Sequence, residues 1–172
     1  APDLMETIHL IPNKEFSNFA LNGVVLENEK PGITYSAIGI NGAKTTDYNK
    51  YDLFYEQLSA LEPDLIIISL GTNESFDKMS GTSYINQLNK MIDNIKSKNY
   101  LTEIIITTPP PSQFKRKYKN TFEEEYAKKI VENAIDKDYA VWDLYKVFGG
   151  SKRVNANCKS GLITADKVHY TH

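Results

Sequence analysis

Apolar positions change their spacing along the chain, and this change predicts which segments are strands and which are helices. Residues 65–70 are apolar on both faces, interrupted only by Ser69. A short run without alternation is typical of a strand buried between helix layers in a parallel sheet. Similar runs predict further strands at 33–40, 103–108 and 139–144.

Between these strands, apolar residues recur with the period of an amphipathic helix. Helices are predicted at 50–61, 82–98 and 121–136, and a capping box formed by Thr121 and Glu124 marks the start of the last one. The side chains expected to face the core are Leu53, Phe54, Leu58, Leu61, Ile85, Leu88, Met91, Ile92, Ile95, Ala127, Ile130, Val131 and Ala134. Strand and helix alternate from residue 33 to 145, which predicts an α/β sandwich with right-handed parallel crossovers.

The N-terminal part has a different pattern. Two segments rich in Ile, Leu, Val and Phe, Glu6–Pro12 and Phe19–Glu27, flank the polar loop at 13–15, and this arrangement predicts an antiparallel hairpin. The turn-forming residues at 28–32 follow it. We therefore expect a division into residues 1–30 and residues 31–172.

Composition narrows the class of protein. The chain has 172 residues, 41% of them hydrophobic, and a net charge of −2. A chain of this length and hydrophobic fraction can form one domain with a hydrophobic core. No basic stripe indicates nucleic acid, and no run of about 18 apolar residues indicates a membrane span. The first six residues lack an initiator Met and the pattern of a signal peptide, so we expect a mature form or a fragment.

Three predicted strands end in polar or glycine-containing loops, at 41–43, 71–73 and 107–109. In an open parallel sheet these ends meet at one edge, where ligands bind. The backbone N–H of Gly42 and the side-chain amide of Asn73 are suitable donors for the negative oxygen of an acyl-transfer intermediate. The alternative is that Gly71 is only a turn glycine and Asn73 only a helix N-cap.

Asp166 and His169 lie three residues apart in a C-terminal loop. This spacing lets the carboxylate reach Nδ1 of the imidazole while Nε2 faces outward, as a general base requires. The alternative is an ordinary Asp and His on the surface. No third ligand is spaced for a metal site. Cys158 is either a small loop residue or a nucleophile, and no histidine is placed beside it by a motif.

Two other features have competing interpretations. The loop Gly39-Ile40-Asn41-Gly42 follows a predicted strand, as phosphate-binding loops do, but it lacks the full dinucleotide or Walker pattern. A short basic run lies after the three prolines at 109–111 and comprises Lys115, Arg116, Lys117 and Lys119. Such a run is either a solvated face or a contact with a polymer.

Taken in order, three motifs resemble those of the SGNH (GDSL-like) hydrolase family over residues 33–172. They are Ile38-Gly39-Ile40-Asn41-Gly42-Ala43, Leu70-Gly71-Thr72-Asn73-Glu74 and Asp166-Lys167-Val168-His169. The resemblance implies a flavodoxin-like three-layer α/β sandwich with a parallel sheet. It also implies that Gly42 and Asn73 form the oxyanion hole, that His169 is the general base and Asp166 its orienting carboxylate, and that no cofactor or metal is needed.

The residues at 64–74 and 142–145 are similar to those of secreted bacterial members that remove O-acetyl groups from peptidoglycan or polysaccharide. Some of those members carry an inserted β-sandwich module, and the hairpin within residues 1–30 resembles the tail of such an insert. The resemblance implies an acetylated glycan or other small ester as substrate, and a secreted or periplasmic location.

One family motif is missing. The nucleophilic serine of the family belongs to a Gly-Asp-Ser motif on the first strand, and these 172 residues contain no Gly-Asp-Ser. Ser17 lies in the hairpin loop and Ser36 inside a predicted strand. In the family's sheet, the first strand lies between the strands expected here at 33–40 and 65–70. We therefore expect a fragment that is inactive alone, whose nucleophile strand belongs to another segment.

The leading hypothesis is a serine-type O-acetylesterase whose nucleophile comes from that segment. A second hypothesis is a glycan-binding relative that has lost its nucleophile. A third is a flavodoxin-like protein that binds a nucleotide or phosphate.

Overall fold

The computed structural model describes residues 7–12, 18–26 and 30–171. The chain divides into two compact units, Ala1–Thr34 and Tyr35–His172. In the first unit, residues 7–12 and 18–26 form no strand, so the predicted hairpin is not found in them. An isolated hairpin is at best marginally stable in water, so apolar sequence alone does not ensure pairing. The hairpin's loop at 13–15 and its end residues Glu6 and Glu27 lie outside the described residues.

The second unit is a mixed α/β structure. Its helices are α1 (Thr45–Tyr48), α2 (Asp52–Ser59), α3 (Thr72–Phe76), α4 (Gly81–Lys98), α5 (Thr121–Lys137), α6 (Leu144–Val147) and α7 (Val154–Lys159). Its strands are β1 (Leu65–Ile68), β2 (Glu103–Thr107), β3 (Gln113–Phe114), β4 (Tyr118–Lys119) and β5 (Ala140–Trp142). The alternation predicted from residue 65 onward is confirmed.

Strands β1, β2 and β5 form a parallel sheet in that order, and β3 and β4 form a short antiparallel hairpin. Ile66 lies beside Ile104, and Ile105 lies beside Ala140. The carboxyl ends of β1 and β2 therefore lie at one edge of the sheet, followed by the loops that begin at Ser69 and Thr108. The parallel α/β sheet expected from the sequence is confirmed.

The predicted strand at 33–40 is wrong. No strand is assigned to residues 30–40, and Tyr35, Ile38 and Ile40 are exposed. A strand exists only through hydrogen bonds to a neighbour, and no described residue supplies that ladder. An apolar run therefore predicted the wrong local structure here.

Two details of the helices also differ from prediction. Helix α5 begins at Thr121, but its N-cap is Asn120, whose side chain makes no capping hydrogen bond, so the predicted capping box of Thr121 and Glu124 is wrong. Leu53 and Val131 were expected in the core but are 54% and 46% exposed. Both lie at the margin of an apolar face, where helical spacing does not determine which side chains the neighbouring elements cover.

The core lies on one face of the sheet. Ile68, Ile104 and Ile106 point to this face and pack in one cluster with side chains of α2, α4 and α5. The largest of those helical side chains are Tyr55, Tyr84, Leu88, Ile92, Tyr126 and Ile130. Burying each large apolar side chain contributes roughly 1.5–3 kcal/mol, so this face accounts for much of the stability.

The opposite face of the same sheet is open. Leu65, Ile67 and Trp142 point to it and are 47%, 57% and 58% exposed. Sheets of parallel strands are normally covered on both faces. The described part of the chain covers only one, so two of the three layers expected from the sequence are formed. None of the described helices is long and apolar enough to cross a membrane.

Candidate active site

The loop at 163–170 brings the predicted acid–base pair together. Nδ1 of His169 lies 2.7 Å from Oδ2 of Asp166. The His169 side chain is 76% exposed, so the imidazole is open to solvent. The loop is closed by a bridge between Ile163 and Tyr170, and Thr164 N–H donates to the His169 carbonyl at 2.8 Å.

Four hydrogen bonds fix the Asp166 carboxylate. Oδ1 accepts from the Thr164 hydroxyl at 2.6 Å, from Val168 N–H at 2.8 Å and from His169 N–H at 3.1 Å, while Oδ2 faces the imidazole. These bonds, above all those from Thr164 and His169, hold the pKa of Asp166 well below its usual range. The carboxylate is therefore ionised at neutral pH and orients His169. Sequence reasoning missed Thr164, although a Thr two residues before an Asp is a common local hydrogen-bond partner.

The loop after β1 places Asn73 inside a helix rather than at its cap. Gly71 is the N-cap of α3, with φ of +119°, and Asn73 follows in the first turn. A Cβ on Gly71 would lie 3.0 Å from Tyr84 Oη and 3.1 Å from Pro109 Cγ. Glycine is therefore required for conformation and for space. The cap interpretation of Asn73 is wrong, because its Nδ2 donates instead to the Ala43 carbonyl at 2.9 Å.

Gly42 is exposed and has φ of +80°. A Cβ at this position would meet nothing within 4 Å, so the backbone is open to an incoming molecule. No described residue accepts a hydrogen bond from its N–H. The Asn73 side chain bonds to Ala43, the residue that follows Gly42, so the two predicted oxyanion donors lie on neighbouring segments, the loop before α1 and the first turn of α3.

A buried carboxylate joins these two loops. Glu74 is fully buried, and its Oε1 accepts from Thr45 N–H at 2.7 Å while Oε2 accepts from Gly71 N–H at 3.0 Å. Sequence reasoning did not single out Glu74 as a site residue, because a glutamate is normally exposed and its burial has no local signal.

The loop after β2, residues 108–112, lies between Gly71 and the loop that holds Asp166 and His169. On one side, Pro109 lies close to Gly71. On the other, Tyr170 Oη donates to the Pro111 carbonyl at 2.8 Å, next to His169 in sequence. The strand ends at 71–73 and 107–109 therefore lie together, as their position in the sheet predicts.

Beneath this loop lies a buried polar cluster. Glu123 Oε1 accepts from the Ser112 hydroxyl at 2.7 Å, and Oε2 accepts from Ser112 N–H at 2.7 Å. Asn120 Nδ2 donates to Ser75 Oγ at 2.7 Å and to Ser112 Oγ at 3.2 Å. Burial raises the pKa of Glu123 to about 7, and the bonds from Ser112 and Ser75 offset part of that shift.

None of the described serines stands in the position of a nucleophile. Ser75 and Ser112 are buried and bonded within the polar cluster, Ser36 lies in the unpaired segment, and Ser17 lies outside the described residues. Within the described part of the chain, the His169 imidazole has Asp166 as its only hydrogen-bond partner. Cys158 is half-buried, and its thiol lies 3.5 Å from the Thr164 carbonyl. No group of three His, Cys, Asp or Glu residues able to hold a metal occurs among the described residues.

Solved structures share this fold. A structure described as a peptidoglycan O-acetylesterase in action matches with a TM-score of 0.71 and 23% identity, over 79% of this chain and 41% of its own. A lipase/acylhydrolase from Enterococcus faecalis matches with a TM-score of 0.58 and 24% identity, over 76% of this chain and 64% of its own. A GDSL-like lipase described as putative, from Parabacteroides merdae ATCC 43184, has a TM-score of 0.61 and 17% identity, over 78% and 64%.

The chain thus spans less than two thirds of the length of each of these structures. No curated protein matches its sequence. The sequence model of the GDSL-like lipase/acylhydrolase family matches residues 19–171, which is most of the chain. The resemblance inferred from three short motifs is therefore confirmed, and the chain belongs to the GDSL-like lipase/acylhydrolase family of ester hydrolases.

Proposed function

We propose that residues 1–172 provide the general base and the oxyanion hole of a serine-type O-acetylesterase acting on a carbohydrate or peptidoglycan. The observation that carries the proposal is the 2.7 Å contact between Asp166 and the exposed imidazole of His169. A histidine oriented by a carboxylate, with its other nitrogen open, is the arrangement that activates a serine hydroxyl.

In the proposed reaction, the serine hydroxyl attacks the acetyl carbonyl while Nε2 of His169 takes its proton. Asp166 stabilises the imidazolium, and Gly42 N–H and the Asn73 amide donate to the oxyanion. The tetrahedral intermediate then expels the sugar oxygen, which takes the proton from His169. Water attacks the acetyl-serine, again with His169 as base, and acetate leaves.

The serine is proposed to come from a segment outside these residues. Support comes from the open face of the sheet, where Leu65, Ile67 and Trp142 are exposed, and from the apolar segment at 35–40, which has no strand partner among the described residues. A strand placed beside β1 would satisfy the free backbone groups of its edge, and an attached helix would cover the open face. Exposed strand edges and apolar faces are otherwise sites of aggregation.

An acetylated glycan is the proposed substrate class. Support comes from the likeness in fold to a protein described as a peptidoglycan O-acetylesterase and from the family of acylhydrolases to which the chain belongs. Action on such a polymer implies a secreted or periplasmic enzyme. The segment with the nucleophile is the proposed partner.

Hydrolysis of p-nitrophenyl acetate tests this function. Residues 1–172 alone are expected to show no turnover above background, while the same residues together with the segment proposed to carry the serine are expected to hydrolyse the ester. A serine-directed organophosphate should then label a single serine outside residues 1–172. Turnover by residues 1–172 alone that survives the organophosphate would contradict the proposal.

A glycan-binding relative without a nucleophile is the second candidate. The observation that favours it is that no described serine contacts His169. Binding of acetylated glycan with no release of acetate, even with the preceding segment present, would establish this candidate in place of the esterase.

A further inference from the structure

Two segments, residues 42–45 and 71–74, must keep a fixed separation if Gly42 and Asn73 are to bind one oxyanion. The buried side chain of Glu74 links these segments. Glu74 accepts Thr45 N–H at 2.7 Å from one loop and Gly71 N–H at 3.0 Å from the other. We propose that Glu74 is the positioning residue of the oxyanion hole, so the inference rests on the proposed function.

The contacts around Glu74 show why a side chain with two acceptor oxygens is needed at this position. The side chain is fully buried, and among the described residues both carboxylate oxygens are occupied by backbone N–H donors. Both oxygens of a glutamate side chain can accept hydrogen bonds, so each of the two N–H donors has a partner. A glutamine has one acceptor and one NH₂ group, and that NH₂ would face a second N–H donor, leaving a buried donor unpaired.

Two other contacts join the same segments, but each is less suited to fix their separation. Asn73 Nδ2 bonds to the Ala43 carbonyl at 2.9 Å, and the exposed pair Lys44–Asp77 has an N–O distance of 2.6 Å. The first uses one of the two N–H donors of the amide that is proposed to bind the oxyanion, and the second is screened by solvent. Glu74 is therefore the group that can hold the loops without occupying an oxyanion donor.

The substitution Glu74→Gln tests this role in two independent measurements. In the esterase that contains the nucleophile segment, we expect kcat for p-nitrophenyl acetate to fall by about 10- to 100-fold, since small displacements of catalytic groups have effects of this size, while KM changes by less than about twofold. In residues 1–172, NMR should show shifted resonances for the Asn73 side-chain amide and the Gly42 N–H.

The matched control is Asp47→Asn, the same chemical change on an exposed residue of α1, where Oδ2 accepts Lys44 N–H. It should leave kcat and both resonances unchanged. Shifted resonances with an unchanged kcat, or a loss of kcat explained fully by unfolding, would overturn the inference. If the wild-type enzyme hydrolyses no ester, the proposed function fails, and unshifted resonances would separately overturn the role of Glu74.

The β3–β4 hairpin carries a group of basic side chains that bears on which polymer the protein binds. The β3–β4 hairpin ends in a turn where Lys117 N–H donates to the Phe114 carbonyl at 3.0 Å. Lys115 and Arg116 occupy the turn with φ of +48° and +60°. Turns of this kind strongly favour Asn and Gly, and each larger residue in the left-handed region costs about 1–2 kcal/mol.

The hairpin is joined to the loop of the general base. Gln113 N–H donates to the Lys167 carbonyl at 3.0 Å, and Lys167 Nζ donates to the Arg116 carbonyl at 2.9 Å. Lys115, Arg116, Lys117 and Lys119 are all exposed, and none forms an ion pair with a described residue. These cations thus lie in and beside a strained turn, next to the loop that holds Asp166 and His169, and Lys117 Nζ also lies 5.6 Å from the centroid of the Tyr118 ring.

We infer that this hairpin tip binds the carboxylate groups of an anionic glycan whose acetyl ester lies at His169. The inference deepens the proposed function by naming the charge of the substrate. A net charge of −2 for the whole chain argues against general attraction to nucleic acid. The hydrogen bonds between the hairpin and Lys167 place the cations beside the proposed general base, where the glycan that carries the ester would bind.

Binding by residues 1–172 tests the inference without requiring any catalysis. Calorimetry should detect polygalacturonate, as the carboxylate probe, but not neutral dextran, and binding should weaken in 0.5 M salt. The double variant Lys115→Gln/Lys117→Gln should bind about five- to tenfold more weakly, the loss expected for two exposed charge contacts.

The control variant is Lys96→Gln/Lys98→Gln, which removes two lysines with the same spacing from the last turn of α4, at the far edge of the sheet. It should bind as the unchanged chain does. Equal binding of dextran, tighter binding of a single-stranded oligonucleotide, or no effect of Lys115→Gln/Lys117→Gln would overturn the inference. None of these outcomes depends on whether an ester is hydrolysed.

Discussion

The two halves of the site are built in opposite ways. The acid–base half is local, since Asp166, His169 and Thr164 lie within six residues and their hydrogen bonds form inside one loop. The proposed oxyanion half is assembled from residues about thirty positions apart, and the buried Glu74 accepts hydrogen bonds from both segments, at Thr45 and at Gly71. The hydrogen bonds that position Asp166 and His169 form within one surface loop. The proposed oxyanion donors lie on separate segments, so their relative position depends on a buried residue that bonds to both segments.

Because the contacts of Asp166 and His169 are local, we expect substitutions there to lower the catalytic rate and to leave the fold intact. His169→Ala should abolish hydrolysis of p-nitrophenyl acetate by the enzyme with its nucleophile segment, with kcat falling by about 10⁴-fold or more. Its melting temperature should stay within about 1 °C, because the ring is 76% exposed and bonded only to Asp166 among the described residues.

The matched control is His9→Ala, which removes another exposed histidine. It should leave kcat unchanged. Retention of more than a tenth of the activity by the His169 variant would remove this residue from the role of general base.

The oxyanion half should respond in both activity and stability. Asn73→Ala removes one donor, so kcat should fall by about 10²- to 10³-fold. It also removes the bond to the Ala43 carbonyl, so the free energy of unfolding should fall by about 1 kcal/mol. Enzyme kinetics and urea denaturation measure the two effects.

Asn86→Ala, at an exposed position of α4, serves as the control and should change neither quantity. If Asn73→Ala lowered stability but left kcat intact, its amide would be a structural link only, and the contrast between the halves would disappear.

The last expected effect concerns stability alone, and it arises at residues 108–112, beneath which the carboxyl of Glu123 is buried. Its pKa is raised to about 7 in the folded protein from 4.5, so the folded state holds this proton more tightly than the unfolded chain. The related stability is full below about pH 4.5 and is lost as pH rises to about 7, by up to roughly 3 kcal/mol.

Glu123→Gln cannot titrate, so the loss between pH 4.5 and 7 should be absent from urea unfolding curves of this variant. Glu56→Gln, on an exposed position of α2, should retain the loss. Asp166 does not interfere, because its pKa is lowered and its contribution is lost only as pH falls below about 4. An unchanged pH dependence in the Glu123 variant would show that another group is responsible.

Local patterns predicted the parts of the molecule whose contacts are local. The apolar run at 65–68, the helix at 81–98 and the pairing of Asp166 with His169 all follow from spacing within a few residues. The segment at 33–40 carries an equally apolar pattern, and it fails as a strand because pairing requires a neighbour from elsewhere. The same limit applies to Val131, whose exposure depends on which surface another element covers.

The sequence by itself determined the family, through three short motifs in a fixed order, and it predicted four site residues, Gly42, Asn73, Asp166 and His169. Tertiary structure alone decided that Asn73 bonds to Ala43, that Glu74 is buried between two loops, and that one face of the sheet is open. The physical reason is the range of the interactions. Helical and turn propensities act over a few residues, while burial and donor geometry depend on segments that meet only when the chain has folded.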